Sequence, residues 1–121
     1  REALTRGVHA ISNGPLDAPW PKTRQLRATL QRWVAANNDD LQPLWHALAD
    51  ERIAADAELP ATGVGLELER RLSPAFIRGD TYGTRASTII AVDHEGHGFI
   101  HERRFGPNGV FEGETLLRND D

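Results

Sequence analysis

Two stripes of apolar residues recur at helical spacing in the first half of the chain. The first stripe is Leu26, Leu30, Trp33 and Val34, and the second is Leu41, Leu44, Trp45 and Leu48. This spacing predicts two amphipathic helices. The first starts at Pro21 and ends at Asn37 and Asn38, and Asp39 or Asp40 caps the second. We expect the two helices to form an antiparallel helical hairpin that packs on a sheet.

The last third of the chain has the pattern of antiparallel strands. The predicted strands run from Ser87 to Val92, from Gly98 to Phe105 and from Val110 to about Leu117, with turn residues between them. Because the first of these strands is rich in β-branched residues, we expect it to lie in the core. The elements together predict an α+β fold.

Shorter elements are predicted elsewhere. Val8 and Ala10 fit a short strand, which the turn residues 13–15 end. Trp20 lies between two prolines, which favour an extended and rigid segment. Residues 66–72 fit a short helix.

The composition narrows the class of protein. The 121 residues are 39% hydrophobic and 26% charged, as in ordinary cytosolic globular proteins. A net charge of −4 argues against a nucleic-acid partner. The absence of cysteine excludes a disulfide scaffold, a zinc-thiolate site and a cysteine nucleophile within this sequence. No apolar run is long enough to span a membrane and no signal peptide opens the sequence, so we expect a cytoplasmic protein.

The predicted elements bury little apolar surface by themselves, because small sheets with open edges are only marginally stable. We therefore expect residues 1–121 to be part of a larger domain, and more of the same protein to be the missing partner.

A polar loop precedes the first predicted strand of the last third. Its candidate substrate-binding residues are Tyr82, Thr84 and Arg85. The guanidinium of Arg85 can bind a carboxylate of a ligand. Alternatively, Arg85 pairs with a structural carboxylate while the hydroxyl groups cap the strand.

Two further candidates lie nearer the start of the chain. The amide of Asn13 can donate to a developing oxyanion, although Asn before Gly is also ordinary turn chemistry. Trp20, held between prolines, is a candidate wall of a binding groove, whereas Trp33 and Trp45 are expected to pack in the core.

A metal site is not expected. His94 falls in a turn, and His97 and His101 lie two pleats apart on a predicted strand, roughly 13 Å by the rise per residue. That separation is too large for one ion. His9 and His46 are lone residues, expected to serve in packing or at the surface.

Several blocks of the sequence resemble, in the same order, the NRDE proteins, the transport-and-Golgi-organisation type 2 family. Residues 9–13 (HAISN) and 16–22 (LDAPWPK) are similar to its LSN…LDTPWPK block. Residues 82–88 (YGTRAST) are similar to another block, and residues 59–63 and 72–77 match its spacing. The resemblance covers nearly all of the chain.

The resemblance implies an N-terminal-nucleophile hydrolase fold, a four-layer αββα sandwich. It also implies that residues 1–121 belong to a single domain whose N-terminal half carries a cysteine and an Asn-Arg-Asp-Glu tetrad. In related amidases that cysteine attacks an amide, and an asparagine in a similar turn helps to form the oxyanion hole. By this resemblance Asn13 is the oxyanion candidate, and Arg85 is a pocket residue.

Three hypotheses for function follow. The leading one is an amidohydrolase acting on amide C–N bonds, to which this chain contributes pocket and oxyanion residues but not the nucleophile. The competing one is a protein that binds or carries haem or an acyl-lipid without turnover. In the binding hypothesis haem is a cargo and not a cofactor. Neither the amidohydrolase hypothesis nor the binding hypothesis therefore requires a cofactor in this chain. The third is a structural domain whose sheet serves only assembly.

Overall fold

The structure, a computed structural model, describes residues 3–37 and 39–119. The chain divides into two compact units, Arg1–Phe76 and Ile77–Asp121. The first unit contains the helices and the second contains an antiparallel sheet. The α+β class predicted from the sequence is therefore confirmed, whereas the predicted role of Asn38 lies outside the described residues.

The first unit has three α-helices and one short 3₁₀ helix. They are α1 (Pro21–Ala35), α2 (Gln42–Leu48), the 3₁₀ turn (Asp56–Glu58) and α3 (Leu66–Leu72). Helices α1 and α2 contact each other. The predicted helices are confirmed, and α3 has the predicted bounds.

Helix α1 begins where the proline pattern predicts. Trp20 is extended, with φ −72° and ψ 150°, and Pro21 occupies the first turn, where its missing N–H costs no helical hydrogen bond. The buried hydroxyl of Thr23 lies 2.7 Å from the carbonyl oxygen of Ala18 and 2.9 Å from that of Trp20. The Pro-Trp-Pro segment is therefore joined firmly to the helix that follows it.

The start of α2 differs from the prediction. Leu41, rather than Asp39 or Asp40, is the residue before its first turn. Asp40 still contributes, because its carboxylate accepts the N–H of Gln42 at 3.0 Å. Its main-chain carbonyl also accepts the indole N–H of Trp33 at 2.6 Å, which ties α1 to the linker before α2.

The buried apolar core is small. Trp45 is 6% exposed and Phe76 is 4% exposed, so the predicted packing role of Trp45 is confirmed. The predicted apolar stripe of α1 is only partly covered, since Leu30 is 37% exposed and Val34 is 56% exposed.

The predicted strand around Val8 and Ala10 is wrong, because these residues join no ladder. The side chain and the main chain of Asp17 bond to Ala10 instead, so the segment closes into a loop. The hydrogen bonds that Asp17 makes to Ala10, seven residues away, outweigh the local strand propensity here.

The second unit is a three-stranded antiparallel sheet in the order β1–β2–β3. Its strands are β1 (Ala86–Val92), β2 (Gly98–Phe105) and β3 (Phe111–Arg118), with a 3₁₀ turn (Pro107–Gly109) before β3. The three predicted strands are confirmed, with small differences at their ends.

One face of this sheet carries an exposed row of aliphatic side chains. Ile90 pairs with Ile100, which pairs with Leu117, and these side chains are 63%, 44% and 61% exposed. The expectation that β1 is a core strand is therefore wrong for this chain. The reason is that the described part of the second unit contains no α-helix that could cover this face.

The turn before β1 is closed by two reciprocal hydrogen bonds. The hydroxyl of Thr84 accepts the N–H of Ile77 at 2.9 Å, and the N–H of Thr84 donates to the carbonyl of Ile77 at 2.8 Å. Inside the turn, a Cβ at Gly79 would lie 2.1 Å from the carbonyl oxygen of Tyr82. The turn therefore requires glycine at position 79.

We predict that Gly79→Ala lowers the free energy of unfolding by about 1 to 3 kcal/mol, because the new methyl group overlaps a main-chain atom that cannot move aside. Urea denaturation measures the change. Asp80→Ala, at the exposed neighbouring position, is the control and should change stability by less than about 0.5 kcal/mol. Equal stability of the two variants would contradict the close approach at Gly79.

Candidate functional site

The loop that carries Asn13 is closed by Asp17. The carboxylate of Asp17 accepts the N–H of Ala10 at 2.7 Å, and the N–H of Asp17 donates to the carbonyl of Ala10 at 2.7 Å. Asp17 adopts a positive φ of 58°, which aspartate tolerates better than most residues. Residues 10–17 therefore form a closed loop with Asn13 near its middle.

His9 holds the same carboxylate from the other side. Its Nδ1 lies 2.8 Å from the second oxygen of Asp17, and its Nε2 lies 2.9 Å from the carbonyl oxygen of Thr5. Both ring nitrogens therefore face acceptors, and only the imidazolium form donates to both. The hydrogen bond to Asp17 raises the pKa of His9, and the Ala10 and His9 hydrogen bonds lower the pKa of Asp17.

Asn13 itself is exposed and, within the described residues, its side chain forms no hydrogen bond. The next residue lies against Trp20, since a Cβ at Gly14 would be 3.0 Å from the indole ring. Asn13 and Trp20 line one small cavity of about 70 Å³. The structure thus brings together two of the predicted site residues.

Sequence reasoning missed two polar residues that line this cavity, Glu69 and Lys22. Glu69 of α3 is buried, and its carboxylate accepts the N–H of Thr62 at 3.0 Å and the hydroxyl of Thr62 at 2.5 Å. Lys22 donates to the carbonyl of Leu72 at 2.8 Å. Spacing along the sequence could not reveal the contact between Lys22 and Leu72, because these residues are fifty positions apart. The sequence feature that pointed to Lys22 was its place in the LDAPWPK block, which also contains Trp20.

The other predicted site residues lie in the second unit. The guanidinium of Arg85 donates to the carbonyl of Gly106 at 3.2 Å, so the structural carboxylate suggested as its alternative partner is replaced by a main-chain carbonyl. Thr84 uses its hydroxyl to close the turn before β1. Tyr82 is 61% exposed. These three residues follow one another along the entrance to β1.

A larger groove lies along α1 and α2, with a volume of about 570 Å³. Its walls combine apolar side chains, among them Leu26 and Trp33, with the charged groups of Lys22, Asp50 and Arg52. Trp33, predicted as a core residue, is therefore also part of a concave surface.

Two of the three histidines of the second unit, His97 and His101, lie beside carboxylates. His101 Nε2 lies 2.7 Å from Glu114, and His97 Nδ1 lies 3.5 Å from Glu95 and 3.8 Å from Asp93. Within residues 3–37 and 39–119, no group of three His, Asp or Glu side chains has the arrangement of a metal site.

None of the helices in the described part of the chain has the length and apolar character needed to cross a membrane.

Comparison with known proteins gives one consistent result. The family model described as Transport and Golgi organisation 2 matches residues 1–107. The Transport and Golgi organization 2 homolog of Mus musculus is 32% identical over 110 residues, which cover 83% of this chain and 39% of that protein. The Transport and Golgi organization protein 2 homolog of Homo sapiens is 30% identical over 123 residues, which cover 93% of this chain and 44% of that protein. The chain spans about two fifths of the length of these curated relatives.

We predict that Asp17→Asn shifts the pKa of His9 down towards its ordinary value of 6.5. The asparagine keeps an oxygen for the N–H of Ala10 but removes the charge that favours the imidazolium. Titration of the histidine ring signals by NMR measures this pKa. Asp39→Asn, at an exposed position, is the control and should leave the His9 titration unchanged.

The same pair makes stability depend on pH. The contribution of His9 is complete below its ordinary pKa of 6.5 and is lost as the pH rises through its raised pKa in the folded state. The contribution of Asp17 is complete above its ordinary pKa of 3.8 and is lost as the pH falls through its lowered pKa. An identical pH profile of unfolding in wild type and Asp17→Asn would contradict this pairing.

Proposed function

The chain belongs to the Transport and Golgi organisation 2 family, and from this premise and the geometry around Asn13 we propose that it forms part of the pocket of an amidohydrolase. The proposed domain is an N-terminal-nucleophile hydrolase with an αββα sandwich, and residues 1–121 are its C-terminal part. Its cysteine nucleophile comes from the N-terminal half of the same protein, since this sequence contains no cysteine.

The observation that carries the proposal is the fixed loop around Asn13. Catalysis by an oxyanion hole requires hydrogen-bond donors that are already in place when the negative charge develops. The bonds between Asp17 and Ala10, with His9 behind them, hold the loop, while the amide of Asn13 keeps its N–H groups available. Asn13 is therefore the proposed oxyanion donor.

The remaining candidates have supporting roles. Trp20 forms an apolar wall beside Asn13 in the same cavity. Arg85 has five N–H donors, of which the carbonyl of Gly106 takes one, so the guanidinium can also bind a ligand carboxylate. Thr84 positions the turn that carries Arg85, and the exposed ring of Tyr82 is a candidate contact for a ligand.

The exposed sheet face supports the proposal that this chain is one part of a domain. Ile90, Ile100 and Leu117 form a contiguous aliphatic surface, and proteins seldom leave such a surface in contact with water. A second layer contributed by the N-terminal half of the protein would cover it.

We predict that Asn13→Ala lowers kcat for amide hydrolysis by about 10² to 10³-fold, the loss typical of removing one oxyanion donor. The assay uses the protein that combines this chain with its cysteine-bearing half, and it measures the amine released from a panel of N-acyl amides. The exposed position of Asn13 leads us to expect a change in stability of less than about 0.5 kcal/mol.

Two variants sharpen this test. Asn13→Asp keeps the size of the side chain but loses the N–H donors, so it should lose as much activity as Asn13→Ala. Ser12→Ala, in the same loop, should retain activity near that of the wild type. Full turnover in Asn13→Ala would exclude Asn13 as an oxyanion donor.

A second candidate function is binding of haem or an acyl-lipid without turnover. The groove along α1 and α2 favours it, because its volume of about 570 Å³ falls within the range of small-ligand sites, roughly 300 to 1,000 Å³. The indole of Trp33 and the side chain of Leu26 provide apolar contact area in this groove.

Haem titration followed by absorbance separates the two candidates. A binding protein should give a saturable shift of the Soret band, and Trp33→Ala should weaken that binding by about tenfold because a large aromatic contact is lost. Asn13→Ala, outside the groove, should leave the titration unchanged. Our leading proposal predicts no saturable shift, so a saturable shift in a protein without amidase activity would reverse the preference.

A further inference from the structure

Lys22 is the only lysine in a sequence that contains 13 arginines. It lines the groove of about 570 Å³, a neighbouring cavity of about 180 Å³ and the small cavity that contains Asn13. Its side chain is partly buried at the place where the three concave surfaces meet. Lys22 is therefore the one side chain of the sequence that presents a compact ammonium group, whereas each arginine presents a planar guanidinium.

The charge of Lys22 is not neutralised by the residues around it. The ammonium has three N–H donors, and within the described residues it makes one hydrogen bond, to the carbonyl of Leu72. It forms no ion pair with a carboxylate in that part of the chain. Burial lowers the pKa of Lys22, as expected for a cation that has lost water without gaining an anion.

A structural role accounts for only part of this arrangement. Leu72 is the last residue of α3, and a lysine that donates to the final carbonyl of a helix stabilises its C-terminal end. That contact uses one N–H group. The other two, and the uncompensated charge, remain for a ligand.

The groove continues from Lys22 along one stripe of α1. Leu26, Thr29, Trp33 and Ala36 follow at positions i+4, i+7, i+11 and i+14, so they share the face of the helix that carries Lys22. At the rise of an α-helix this stripe extends for roughly 21 Å. Pro43 and Ala47 form the wall on the side of α2.

The charges at the Lys22 end of the groove sum to one positive charge. Arg52 donates to both oxygens of Asp50, at 2.7 to 3.1 Å, so these two charges compensate each other. Lys22 then remains as the cation without a partner. The guanidinium of Arg32 and the imidazole of His46 also line the groove, at exposed positions of α1 and α2.

We propose that this groove binds a monocarboxylate with an apolar body. Its carboxylate contacts the ammonium of Lys22, and its apolar body lies along the stripe from Leu26 to Ala36. A single negative charge matches the net charge at that end of the groove, whereas a dianion would meet the carboxylate of Asp50. This binding site goes beyond the proposed amidohydrolase, because it does not use Asn13. It uses the groove of the second candidate function and adds to that candidate the chemical class of the ligand and the residue that binds its charge.

Octanoate is the probe, and octan-1-ol is its neutral counterpart with the same number of carbon atoms. Binding is measured by calorimetry and by NMR of the protein with ¹³C-labelled lysine, in which Lys22 alone gives the signal because the sequence contains one lysine. We expect octanoate to bind at least about tenfold more tightly than octan-1-ol, since a charge-assisted hydrogen bond is added. We also expect octanoate to raise the pKa of Lys22.

Two variants distinguish a site at Lys22 from a general effect of charge. Lys22→Met keeps the length of the side chain and should abolish the preference for octanoate over octan-1-ol. Arg24→Met removes a positive charge from the same helix but outside the groove, and it should leave that preference within about twofold of wild type. Circular dichroism and the octan-1-ol affinity show whether Lys22→Met remains folded.

Three results would overturn the proposal. They are equal affinity for octanoate and octan-1-ol in the wild type, equal losses in the two variants, and an unchanged pKa of Lys22 in the presence of saturating octanoate. Asn13→Ala should bind octanoate as the wild type does. A failure of amide hydrolysis and a failure of carboxylate binding are therefore separate outcomes.

Discussion

The hydrogen bond from Lys22 to the carbonyl of Leu72 connects parts of the first unit that are far apart in the sequence. It joins the first turn of α1 to the last residue of α3 across fifty residues of sequence. Two similar hydrogen bonds lie near it, in which the N–H of Ala54 donates to the hydroxyl oxygen of Ser73 and the N–H of Thr62 donates to the carboxylate of Glu69. Because the buried apolar residues of this unit are few, these directional contacts, rather than a large core, specify how its segments meet.

The second unit is specified in a different way. Its register is set by alternation and by tight turns, and it places Ile90, Ile100 and Leu117 in one row. A row of exposed aliphatic side chains contributes little to stability until another layer covers it. The sheet is therefore well defined in register, and covering this face would add to its stability.

The sequence predicts those elements whose causes are local. The strands follow from alternation and turn residues, and α1 follows from its apolar spacing and from Pro21 in its first turn, so the bounds of these elements are nearly correct. The prediction of a strand near Val8 was wrong because the carboxylate of Asp17 binds the main chain of Ala10. The alternation of apolar and polar residues carries no information about such a contact. Asn13 was found through its turn chemistry and the family resemblance. The contacts of His9, Glu69 and Lys22 were missed because each needs a partner that only folding brings close.

The segment from His9 to Lys22 links the two proposed sites. Its first part forms the closed loop that contains Asn13, and its later part places Trp20 against Gly14. Its last residue, Lys22, lines the groove. Asn13 and Lys22 also line the same small cavity. Hydrolysis of an amide converts a neutral acyl group into a carboxylate, and a carboxylate is the group that an unpaired ammonium prefers. Under the two proposals together, Lys22 would hold an acid product more tightly than a neutral amide substrate.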